Sequence, residues 1–169
     1  RRIDRLAALL LSPELFSGWG VRTVSTADLG HDPAGYHLGA VWPHDTAIAC
    51  AGLARHGRVD EAAVLLRALV DTADRFGGRP PEMLAGYARS DTGFPVPVPA
   101  SCSPQAWAAA APVGALTAVL GLAPDRAAGR LTARAAVPGD LDLALRGVPA
   151  LGRRWDVVAA GGRVRVGPA

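Results

Sequence analysis

Lysine is absent from these 169 residues, so all 18 basic side chains are arginine. Against 15 acidic residues they leave a formal net charge of +3. The arginines are scattered through helical and tail segments and form no aromatic-interleaved basic stripe, which argues against a nucleic-acid partner. Enrichment in alanine, glycine and arginine without lysine reads as the imprint of a GC-rich genome. Cysteine is nearly as scarce. Cys50 lies in an apolar helical run and Cys102 just before a helix start, too few for a disulfide framework at this size. Both are expected as free thiols, which fits a reducing, cytoplasmic location. Long apolar runs are missing too: none reaches the roughly 18 residues of a membrane span. The nearest, Ala108 to Leu122, is interrupted by Pro112, Gly114 and Gly121, and the first residues do not read as a signal peptide. His31, His37, His44 and His56 lack zinc-ligand spacing, so neither a metal nor another cofactor is expected. His56 is most simply a helix C-terminal residue before Gly57.

What is present is a core-forming composition with polar and aromatic residues concentrated at a few points. Half of the residues are hydrophobic, and a chain of this length can bury about two-thirds of its unfolded surface. Trp42-Pro43-His44-Asp45 follows Tyr36-His37 and precedes an uncharged run. Pro43 suits helix position N1, and the positive end of the macrodipole favours a carboxylate in the first turn, where Asp45 falls. Because Thr46 to Ala54 carries no charge, this helix is expected to be buried on most sides. Ser103-Pro104-Gln105-Ala106-Trp107 repeats the arrangement, with Ser103 as expected N-cap, Pro104 at N1 and a second uncharged helix behind them. Between the two, Val59 to Phe76 has apolar residues at helical spacing and charges on the opposite face, stopped by Gly77-Gly78. Inner helix, outer helix, long loop, inner helix is the pattern of a barrel of helical hairpins, whose ligand groups gather where the inner helices begin.

The loop from Arg79 through Pro80-Pro81-Glu82-Met83 to Cys102 is long and proline-stiffened, and long ordered loops in compact domains are usually functional. Glu82 is its only glutamate. Held behind two prolines, it is a candidate general base; the competing reading pairs it with Arg79 or Arg89 as an ordinary loop ion pair.

Four segments then occur in a telling order: Phe16-Ser17-Gly18-Trp19-Gly20-Val21-Arg22-Thr23, Tyr36 to Asp45, Pro81-Glu82-Met83-Leu84-Ala85-Gly86-Tyr87, and Cys102 to Trp107. This series resembles that of bacterial glycogen-debranching-enzyme-like proteins, the amylo-α-1,6-glucosidase type of six-hairpin, (α/α)6-barrel glycosidase. The resemblance implies a mainly α fold, the C-terminal portion of an (α/α)6 toroid, and glycoside hydrolysis with inversion by one general acid and one general base. It matches Glu82 to the base. Trp19, Tyr36, His37, Trp42, His44, Asp45, Gln105 and Trp107 are then expected to bind the glucosyl ring of an α-glucan or small glucoside.

The chain opens at Arg1-Arg2-Ile3-Asp4, within what reads as the last stretch of a helix to Leu11, and about four helices are visible where a full barrel needs twelve. It is therefore expected to be the C-terminal part of a larger enzyme, with the remaining N-terminal barrel as its partner and the general acid upstream. Residues 1–123 are expected to form the helical part and residues 124–169 a β-rich appendage. In that tail, Gly129 to Pro138, Leu141 to Arg146, Arg153 to Ala159 and Arg163 to Val166 alternate with period two, and Gly161-Gly162 marks a hairpin. A non-catalytic helical carbohydrate-binding or scaffold fragment is the competing functional class.

Overall fold

The computed structural model describes residues 1–169. Five helices precede two small antiparallel sheets: α1 (Arg2–Leu10), α2 (Pro43–Arg55), α3 (Val59–Arg75), the single turn α4 (Arg89–Thr92), α5 (Ala106–Leu120), β1 (Ala123–Asp125), β2 (Arg130–Thr132), β3 (Leu143–Ala150), β4 (Arg153–Ala160) and β5 (Arg163–Pro168). The architecture is thus mixed. α2, α3 and α5 pack pairwise, and these helices by themselves do not build a toroid. None is long and apolar enough to cross a membrane.

The two helices with the clearest sequence signals form where expected. Trp42 is extended and Pro43 occupies the first position of α2, where its fixed φ suits the helix and its missing N–H is harmless. α3 buries Ala62, Ala63, Leu65, Leu66, Ala68, Leu69 and Thr72 along one face. Asp60 and Glu61 in its first turn and Arg75 in its last complement the helix dipole.

α5 departs from expectation. Its N-cap is Gln105, in extended conformation, not Ser103; Pro104 lies outside the helix and follows a cis peptide bond. Gln105 is held by its backbone N–H, which donates to Pro80 O at 3.2 Å, so a long-range contact fixes where the helix begins. A second correction concerns burial. α2 and α5 each bury only one face: Ile48 is 59% exposed, Trp107 49% and Val113 64%. Absence of charge here marks an apolar surface and does not enclose the helix.

In the tail, β1 and β2 form a two-stranded sheet and β3-β4-β5 a three-stranded one. Only Arg130–Thr132 of the 129–138 run is a strand. The 141–146 run begins pairing at Leu143 and continues to Ala150 through a register shift between Leu145 and Val148. The bulge is held from β4, where Asp156 accepts the Gly147 N–H at 2.9 Å and the Arg146 guanidinium at 2.6 Å. Gly161 and Gly162, both at positive φ, make the predicted hairpin. On β4, Trp155, Val157 and Ala159 point inward. They join a 20-residue buried cluster that also contains Ala7, Cys50, Leu53, Leu65, Leu69 and Val119, so helices and sheet share one core.

The segments that carry the site are not helical. Isolated antiparallel bridges link Phe16 to Val21, Arg22 to Val41, Val41 to Leu84 and Leu84 to Pro97. Val41 and Leu84 exchange both backbone hydrogen bonds at 2.8 Å. This bridge ties Leu84, two residues after Glu82, to Val41, two residues before α2 begins at Pro43.

Candidate active site

Glu82 sits at the point where three loops meet. Its backbone N–H donates to Cys102 O at 2.8 Å. Its carboxylate accepts the Tyr36 hydroxyl at 3.1 Å and Gln105 Nε2 at 3.1 Å, both on Oε1, and the Cys102 N–H at 3.3 Å on Oε2. No arginine is involved: Arg89 pairs instead with Asp71 at 2.7 Å, and Glu82 forms no salt bridge. The ion-pair reading of Glu82 therefore fails. Neutral donors orient the carboxylate, and no cation compensates its charge.

An aromatic wall flanks it. Tyr36 meets Trp42 edge-on at 4.8 Å between ring centroids and His37 at 4.7 Å, while His37 and Trp42 stack 10° from parallel at 5.3 Å. Trp42 Nε1 donates to Tyr36 O at 2.9 Å, locking the loop that bears the tyrosine onto the start of α2. Desolvation of its hydroxyl, followed by the hydrogen bond to Glu82 and the nearby negative charge, raises the Tyr36 phenol above its ordinary pKa.

A second aromatic pair spans the mouths of the apolar helices. His44 in the first turn of α2 and Trp107 in the first turn of α5 stack 3° from parallel with centroids 4.0 Å apart. Behind them runs an open groove of about 310 Å³ lined by His44, Ala47, Ile48, Ala51, Trp107 and Ala110 among others. Asp45 is exposed in the first turn of α2 and makes no side-chain hydrogen bond or ion pair. No cluster of three or more His, Cys, Asp or Glu side chains is placed to hold a metal ion.

The structure therefore unites Glu82, Tyr36, Gln105, Trp42 and His37, and places His44 and Trp107 together at the adjoining helix mouths. It does not bring Trp19 to them. Trp19 is 1% exposed, packed with Val41 and Leu84 and covered by the Arg89 guanidinium 4.3 Å from its ring centroid. An enclosed indole offers no face to a sugar, so Trp19 is a packing residue.

Two contributors escaped the sequence reading. Cys102 matters through its backbone, which no side-chain pattern reports. Arg22 is 5% exposed; its Nε donates to Gly86 O at 2.6 Å and its Nη1 to Pro13 O at 2.9 Å. A lone arginine inside the Trp19-Gly20-Val21-Arg22 motif was the available signal.

Glu82 is thus a carboxylate without a counter-cation, oriented by neutral donors beside stacked aromatic rings. The sequence profile described as the mannosylglycerate hydrolase MGH1-like glycoside hydrolase domain matches residues 1–95, more than half of the chain. The chain belongs to this glycoside hydrolase family, within the six-hairpin superfamily. Glycogen debranching, the more specific expectation, is not supported. No curated protein matches the chain. The matched span contains Tyr36, His37, Trp42, His44, Asp45 and Glu82 and ends before Gln105 and Trp107.

Proposed function

We propose that this chain supplies the general-base side of an inverting glycosidase site. Glu82 takes a proton from water as the water oxygen bonds to the anomeric carbon and the glycosidic bond breaks. The leaving oxygen receives its proton from a general acid contributed outside this chain. His37, His44 and Trp107 supply aromatic faces for the sugar, Trp42, 7% exposed, backs His37 from within the core, Gln105 bridges the base to the α5 mouth, and Asp45 binds a hydroxyl. An inverting site keeps its two carboxyl groups roughly 6.5–9.5 Å apart to admit the water. In this reading α2 and α5 are inner helices and α3 an outer helix of an (α/α)6 barrel. The observation that carries the proposal is the Glu82 carboxylate, fixed by three neutral donors and left without an ion-pair partner.

The substrate named in the family's description, mannosylglycerate, is the first to test, followed by small α-glucosides and maltose. In the active protein that contains this chain, Glu82→Gln should lower kcat at least about 100-fold while inhibitor binding, read by tryptophan fluorescence, persists. Asp45→Asn should raise KM more than it lowers kcat. Abolished turnover in Asp45→Asn with normal KM, alongside a mild Glu82→Gln, would reverse the two roles.

A further inference from the structure

We propose that Tyr36 is a positioning residue for Glu82, not a sugar ligand, and that it reserves Oε2 as the proton-accepting oxygen; this rests on the reading of Glu82 as general base. A carboxylate oxygen has about two good acceptor directions. On Oε1 both are taken, by the Tyr36 hydroxyl and by Gln105 Nε2, each at 3.1 Å. Oε2 has one longer donor, the Cys102 N–H at 3.3 Å, and keeps a free lone pair. Water therefore meets a carboxylate with one anchored oxygen and one open oxygen. The proton goes to Oε2 as the water oxygen bonds to the anomeric carbon and the glycosidic bond breaks, its leaving oxygen taking a proton from the general acid.

Tyr36 is built to hold this position. Its hydroxyl has one proton to give, and the geometry gives it to Oε1. Its backbone carbonyl accepts from Trp42 Nε1 at 2.9 Å, and its ring is braced edge-on by both Trp42 and His37. The loop, the indole and the carboxylate thus form one connected unit. The phenol proton spent on Glu82 is not available to donate to a sugar hydroxyl.

The test begins with an optical titration of the chain, which needs no substrate. Tyr36 and Tyr87 are its two tyrosines, so in a Tyr87→Phe background the phenolate absorbance reports Tyr36 alone. Tyr36 should ionise above the ordinary phenol range, and adding Glu82→Gln should bring its midpoint down, because the neutral amide removes the neighbouring negative charge. A midpoint unmoved by Glu82→Gln overturns the proposal. In turnover, Tyr36→Phe should lower kcat by about 10-fold or more with KM within about 2-fold, and should add nothing in the Glu82→Gln background. A raised KM with unchanged kcat, or an effect that multiplies with Glu82→Gln, makes Tyr36 a sugar ligand and also overturns it. If Glu82→Gln leaves kcat intact, it is the general-base reading that falls, and the titration separately decides whether Tyr36 and Glu82 are coupled.

Discussion

Replacing Gly86 by alanine tests whether the loop ladder, and not the helices, sets the site. A Cβ at Gly86 would overlap the Gly39 carbonyl oxygen and lie 3.0 Å from its carbon, with Arg22 Cδ at 3.5 Å. The nearest obstacles are backbone atoms, so no rotamer change relieves the clash and the two segments must part. Two hydrogen bonds then lie in the path: the Gly86 N–H to Pro33 O at 2.8 Å and Arg22 Nε to Gly86 O at 2.6 Å. A neutral hydrogen bond contributes about 1 kcal/mol and one from a charged group about 1.5–3 kcal/mol. Gly86→Ala is therefore expected to cost about 2–4 kcal/mol, even if part of each bond re-forms with water. Denaturant unfolding measures it as a lower midpoint at unchanged slope. Gly52→Ala is the control, since a Cβ there meets nothing within 4 Å and the position is helical; it should be neutral or stabilising by up to about 1 kcal/mol. A Gly86→Ala protein within about 0.5 kcal/mol of the parent would show that the close approach to Gly39 is not needed.

The cysteines and the sheet give two further expectations. Cys50 is buried, with its thiol pushed up to about 12 by desolvation, whereas Cys102 is exposed; a chromogenic thiol reagent should count one reactive thiol in the native chain and two in denaturant. Asp156 is held below the ordinary aspartate value of 3.8 by the Gly147 N–H and the Arg146 guanidinium. Because its folded pKa is the lower one, its contribution is complete at neutral pH and is lost as pH falls from about 4 through the folded value. Asp156→Asn should remove that part of the acid sensitivity, and an unchanged difference in stability between neutral and acid pH would refute the assignment.

Local signals were legible and long-range ones were not. Pro43 ahead of an uncharged run announces α2 because the proline preference for N1 is a property of the helix itself. The apolar period of α3 is equally self-contained. Ser103-Pro104 offers the same local cue for α5, yet the helix waits for Gln105, whose N–H is committed to Pro80, 25 positions earlier in the chain. Trp19, expected at the sugar only from the resemblance, is enclosed because the flanking glycines let the chain fold tightly over it: a Cβ at Gly20 would sit 2.6 Å from Val41 Cγ1 and 2.7 Å from Thr46 Oγ1. The motif order pointed to Glu82, whereas its donors Tyr36 and Gln105 lie 46 and 23 positions away and become partners only through tertiary structure.

The position of Glu82 follows from backbone pairing, and Arg22 shows how that pairing is secured. A buried arginine would ordinarily seek a carboxylate, because an uncompensated charge in a low-dielectric interior is costly. Arg22 forms no salt bridge and spends its donors on carbonyls from two separate segments, Pro13 and Glu14 on one side and Gly86 on the other. Only the planar fork of a guanidinium spans such acceptors in fixed directions; an ammonium on a flexible stem would not hold them in register. Burial lowers the Arg22 pKa, yet the group remains a cation. The segment after α1 is thereby tied to Gly86, Gly86 to Pro33, and the segment bearing Leu84 to Val41 at the mouth of α2. Each tie ends on main-chain atoms, which side-chain variation elsewhere leaves in place. Main-chain contacts thus position the loop that bears Glu82, and they locate the expected sensitivity of that position in Arg22 and Gly86.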